Sequence, residues 1–133
     1  MHIKKSTPVL IVDAIEPALA FWEQRLGFRR TVEVPQDDTL AFVILSNGIV
    51  EVMYQTAASV AADSPSHLRD WHHDRTFLYV EVDDIDAVAT ALEGSEVVLA
   101  RRKTFYGATE IGYREPGGHF VTFAEMGSPS QEN

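Results

Sequence analysis

Apolar and polar residues alternate along several short stretches of this chain and recur at helical spacing along two longer ones. Thr7 to Val12, "TPVLIV", is a β-rich run. Asp13 and Glu16 behind it have the spacing of a helix capping box, and Pro17 falls in the first turn, where a missing N–H costs little. Ile15, Leu19, Trp22 and Leu26 then form one helical stripe, which places Trp22 in the core, and Gly27 ends the helix. Strands follow at "RRTVEV", "TLAFVIL" and "IVEVMY". They are separated by a turn over Pro35-Gln36-Asp37-Asp38 and a hairpin turn at Ser46-Asn47-Gly48.

The same order then recurs. "TFLYVEV" is a strand, Asp83 or Asp84 caps a helix carrying Ile85, Val88, Ala89 and Leu92, and Gly94 stops it. "EVVLARR", "ATEIGYR" and "HFVTFAE" are strands. Val12-Asp13 matches Val82-Asp83, an offset of 82 − 12 = 70, and Gly48 matches Gly118 at the same offset. The pattern predicts a β-α-β-β-β unit over 1–56, a linker over 57–75, a second unit over 76–126 and a flexible tail over 127–133. The fold class is α+β, with helices on one face of mostly antiparallel strands. A duplicated sheet leaves a cleft between its halves, which suits a small molecule.

Composition removes several classes. The chain has 133 residues, 45% hydrophobic and 23% charged, as in an ordinary globular protein. No apolar run reaches the ~20 residues that span a bilayer, and no secretory signal is visible. There is no cysteine, so disulfides and thiolate chemistry are absent and a cytoplasmic location is expected. The net charge of 11 − 20 = −9 disfavours nucleic acid. No dinucleotide fingerprint, phosphate loop or nucleophile elbow occurs.

"VDAIEPALAFWEQRLGF", "NGIVEVMY", "EVDDIDAVATAL" and "REPGGHFVTFAE" together resemble the vicinal oxygen chelate superfamily of glyoxalases, bleomycin-resistance proteins and extradiol dioxygenases. The resemblance spans nearly the whole chain. It implies paired modules rolling an incomplete barrel around a cleft, and a homodimer that often exchanges modules. It also implies metal ligands on the first and last strand of each module. Carried over, those positions fall on Thr7, Glu51, Phe77 and Thr122, of which only Glu51 ligates well. No metal and no cofactor are therefore expected. The resemblance points to the metal-free, bleomycin-resistance-like branch.

Period-2 placement turns Glu51 to one face with Ile49 and Met53, and Glu110 to one face with Ala108, Gly112 and Arg114. The resemblance turns both faces toward the cleft. Two carboxylates in an apolar cleft suit a cationic amine, or one serves as a general base. Against this stands a solvated Glu110 paired with Arg114. Phe105 and Tyr106 suit stacking on a flat ligand, or anchor a turn. The candidate ligand-binding residues are thus Glu51, Glu110, Phe105, Tyr106, Arg114 and Met53. His67, His72 and His73 beside Trp71 read as a solvated loop or a lid, and His119 as an exposed turn neighbour. The expected function is small-molecule binding in the inter-module cleft, with a cationic drug or metabolite as one class of ligand. The alternatives are a lyase, isomerase or dioxygenase with a non-standard metal site, and an interaction module without a ligand.

Overall fold

The computed structural model describes residues 1–72 and 76–127. The chain divides into two compact units, Met1–His73 and Asp74–Asn133. The sequence-predicted order holds in both.

In the first unit, β1 (Val9–Val12), β2 (Arg29–Gln36), β3 (Thr39–Asn47) and β4 (Val50–Thr56) form one mixed sheet in the order β1-β4-β3-β2. β1 runs parallel to β4, and the other pairs are antiparallel. Leu10, Val12, Val43, Leu45, Val52 and Tyr54 lie on one sheet face and are all buried. Helix α1 (Glu16–Leu19) continues as a π-helical stretch, Ala20–Arg25. Trp22 is buried, as expected, and its indole N–H donates to the Tyr54 hydroxyl at 2.7 Å, which fastens this helix to β4. The wider π turn brings Phe21 and Trp22 inward together and leaves Leu26 half-buried, off the straight α-helical stripe. Gly27, with a φ of +73°, and the Phe28 N–H on the Trp22 carbonyl end the helix.

Three local expectations are corrected. The Asp13–Glu16 capping box does not form: Ile15 is the N-cap, and Glu16 Oε2 instead accepts the Leu40 N–H at 2.8 Å. Pro35 and Gln36 belong to β2, an edge strand that tolerates a missing donor, and the turn contracts to Asp37-Asp38. The next turn falls on Gly48-Ile49, which leaves Ile49 fully exposed and out of the face it was expected to share with Glu51.

The segment after β4 is not an irregular loop. Thr56 caps α2 (Ala57–Asp63) through its hydroxyl, and a 3-10 turn, Pro65–Leu68, follows. Helix α2 buries Val60 and packs on β1, β3 and β4. Ala57, Val60 and Ala61 give it an apolar edge too short to show as periodicity.

In the second unit, β5 (Phe77–Val82), β6 (Glu96–Lys103), β7 (Ala108–Arg114) and β8 (Phe120–Met126) form a mixed sheet ordered β5-β8-β7-β6. Helix α3 (Ile85–Ala91) is capped by Asp84, whose Oδ1 accepts the Ala87 N–H, and it packs on β7 and β8. Ile85, Val88 and Leu92 are buried with Ile111, Tyr113, Val121 and Phe123. Neither unit closes a barrel by itself.

Tyr54→Phe leaves the buried Trp22 N–H without its acceptor. The expected loss is about 1–3 kcal/mol, read by urea unfolding with an unchanged m-value. A loss near zero would show that the bond does not hold α1 to the sheet.

Candidate functional site

Parity puts Tyr79, Thr122, Ala124, Glu110 and Gly112 on the sheet face of the second unit opposite α3. Glu110 lies there with 1% of its surface exposed. A charged carboxylate so deep needs donors on nearly every lone pair. Tyr106 donates to Oε2 at 2.6 Å, and Tyr79 donates to the same oxygen. Arg102 donates to Oε1 through Nε and Nη2, both at 3.1 Å. Burial pushes the Glu110 carboxyl up, but the bonds from Tyr106, Tyr79 and Arg102 outweigh it and hold the group below its ordinary value. Burial, and then the neighbouring carboxylate, push the Tyr79 hydroxyl up, so it remains a donor at neutral pH. Phe105 is 97% exposed and stands edge-on to Tyr106, with ring centroids 5.0 Å apart. The result is a buried carboxylate neutralised by a half-exposed arginine, beside a rim of exposed aromatic rings.

The first unit carries a shallower cluster on the face opposite α1. Glu51 accepts from the Thr7 hydroxyl at 2.8 Å and from Ser46 at 3.3 Å, and Lys5 Nζ lies 2.9 Å away. The Lys5 ammonium first, and then Thr7, lower the Glu51 carboxyl from its ordinary value. Met53 is on the same face, half-buried.

These positions were then tested as a metal site. An ammonium sits on the only carboxylate among the carried-over positions. Phe77 faces Phe120 in the strand register, and Thr122 faces Tyr79. Among the described residues, no three histidine, aspartate or glutamate side chains are grouped to hold a metal ion. The donor set does not fit the metal of the vicinal oxygen chelate enzymes.

Of the six candidate residues, Glu110, Tyr106 and Phe105 come together. Glu51 and Met53 share a face in the first unit. Arg114 does not pair with Glu110: it reaches Glu96 at 3.4 Å, donates to the Gly118 carbonyl and stacks over the Phe120 ring at 4.4 Å. Glu110 is buried, not solvated, because Arg102 answers it across the β6–β7 register. Tyr79 and Arg102 were missed. The turn signal at Phe105-Tyr106-Gly107 held the clue, since a hairpin bent there sets Arg102 opposite Glu110. His119 is buried, not an exposed turn neighbour, and its backbone N–H donates to Glu115 Oε1 at 2.6 Å. His67 is exposed, with Nδ1 bonded to the Ser64 hydroxyl. His73 lies outside the described residues.

Glu110 titrates below its ordinary 4.5 in the folded chain, so the stability it lends is full above that value. That stability is lost as pH falls through the lowered value. Glu110→Gln is expected to cost about 1–3 kcal/mol near neutral pH, with the gap to wild type narrowing in acid. Urea unfolding over an acid series measures this, and a gap constant with pH contradicts the assignment. Tyr106→Phe removes one donor and raises the Glu110 pKa, readable by carboxyl-carbon NMR titration.

Among curated protein sequences, none matches this chain. Solved structures do. The chain is similar to TioX from Micromonospora sp. ML1, with 20% identity, a TM-score of 0.73, and coverage of 92% of this chain and 98% of that one. It is similar to a lactoylglutathione lyase from Agrobacterium tumefaciens, with 19% identity, a TM-score of 0.72 and 92% of each chain covered. It is also similar to the bleomycin-binding protein of bleomycin-producing Streptomyces verticillus, complexed with copper(II)-bleomycin. There the identity is 19% and the TM-score 0.61, with 96% of this chain and 99% of that one covered. At such identities these likenesses show the fold alone. The family model described as Glyoxalase/Bleomycin resistance protein/Dioxygenase superfamily matches residues 2–123, and the chain belongs to that superfamily.

Proposed function

We propose that this chain binds a small molecule without a metal ion, on the aromatic-rimmed sheet face around Glu110. One observation carries the reading. Glu51 and Glu110, the two acids the sequence placed on these faces, already hold a lysine and an arginine, so neither is free to ligate a metal or clamp a cation. What the second unit offers a ligand around Glu110 is ring surface and polar edges, with the exposed Glu81 carboxylate further along the same face. Tyr79 and Tyr106 are 45% and 43% exposed, and Phe105 stands free beside them. Such a rim favours a flat aromatic compound over the simple cation that net charge alone suggests. The relative that holds copper(II)-bleomycin supports a binding role within this superfamily.

Metal analysis after growth with added zinc, nickel, manganese and iron separates this reading from a metal-dependent lyase or dioxygenase. The expected content is far below one ion per chain, and a stoichiometric ion would overturn the proposal. A thermal-shift screen of flat aromatic compounds supplies the positive arm. A ligand at a hundred times its Kd adds about 2.7 kcal/mol, and Phe105→Ala is expected to abolish the shift.

The same reading takes the protein to be a cytoplasmic homodimer. No helix among the described residues is long and apolar enough to cross a membrane. Exposed Val32, Val34, Phe77 and Val97 on sheet-edge strands favour self-association. Sedimentation equilibrium is expected to give twice 14.8 kDa. A single-chain mass at high micromolar concentration argues against the dimer.

A further inference from the structure

The first unit carries a separate concave feature, built from a different set of residues. Val9 and Ile11 of β1 and Gln55 of β4 lie on the sheet face opposite α1. Helix α2 and the 3-10 turn bend back beside that face and bring Val60, Asp63 and His67 to it. A pocket of about 360 Å³ results, with Ser64 completing its wall. That size is within the range of small-molecule sites.

Its lining is divided. Val9, Ile11 and Val60 make an apolar floor, and the polar groups converge at the α2 end. Asp63 is the single formal charge of the wall and has no cationic partner among the described residues. It closes α2, and the C-terminal end of a helix also carries partial negative charge. The Gln55 amide donates to Ser59 at 3.0 Å, which fixes its carbonyl oxygen as the open end. Ser64 engages His67 Nδ1, so Nε2 is the remaining polar atom of that ring. Nothing in the wall offers a lysine or arginine to an anion.

We propose that this pocket is a second ligand site, taking a small amphipathic amine whose ammonium meets Asp63 and whose apolar body lies on Val9, Ile11 and Val60. The site is independent of the Glu110 face.

The test uses phenethylamine, with 2-phenylethanol and 3-phenylpropionate as neutral and anionic controls, titrated into the ¹⁵N-labelled full chain. Saturable amide shifts are expected at Val60, Asp63, Ser64 and His67 with the amine. Asp63→Asn weakens that binding about tenfold, the effect of losing one charge-assisted contact. Val9→Trp, which fills the pocket from an exposed strand position, abolishes it. Glu110→Gln leaves it unchanged, so failure here is separable from failure of the aromatic face. Equal binding of amine and alcohol, binding indifferent to Asp63→Asn, or shifts located elsewhere would each overturn the proposal.

Discussion

A four-stranded sheet covered by a helix on one side must put its apolar residues at alternate positions, and the character of its other side follows from what remains. In the first unit the covered side takes Leu10, Val12, Val43, Leu45, Val52 and Tyr54. The uncovered side is left with Val9, Glu51, Met53 and Gln55. In the second unit the covered side takes Ile111, Tyr113, Val121 and Phe123, and the uncovered side receives Tyr79, Glu110 and Thr122. A one-residue slip would exchange these sets, so core packing also fixes which groups can meet a ligand. The register is further constrained at Gly112, where a Cβ would come within 2.7 Å of the Leu99 Cβ.

The two uncovered faces handle acid differently. Glu51 is partly open, and its ammonium partner is 63% exposed, so solvent shares the work of neutralising it. Glu110 has almost no solvent, and two phenols and a guanidinium replace the missing water. Breaking either arrangement exposes a carboxylate to need, but only in the second is the cost carried inside the protein. Glu110 is therefore a structural base that accepts from the hydroxyls of two tyrosines.

Much of this was legible before any coordinates. The repeat at an offset of 70 gave the two units and their order, because strand and helix periods differ sharply. The poverty of ligands at Thr7, Phe77 and Thr122 was visible from residue type alone. Face assignment for Glu110 was also sound, since parity is local. Its partner was not local. Arg102 and Tyr79 reach Glu110 from neighbouring positions set by hairpin bend and parallel register, and neither is encoded by spacing along one strand. Glu16 misled for a related reason: its carboxylate satisfies a strand N–H 24 residues away instead of its own helix. Short helix α2 was invisible because it buries only Val60, whereas α3, equally seven residues long, shows Ile85 and Val88 at helical spacing.

That last omission bears on function. Duplication supplies two similar sheets, and two similar sheets offer similar faces. Selectivity has to come from the connections around them. The segment after β4 is one such element, and it converts an open edge into a pocket with a single fixed charge. The loop before β7 is another, since it lifts Phe105 and Tyr106 above a buried acid. Both lie where a connection between elements can change length and sequence without disturbing the ladder beneath. The sheets supply rigidity, and the connections supply chemistry. A superfamily that hosts unrelated reactions on one framework is the expected outcome of that division.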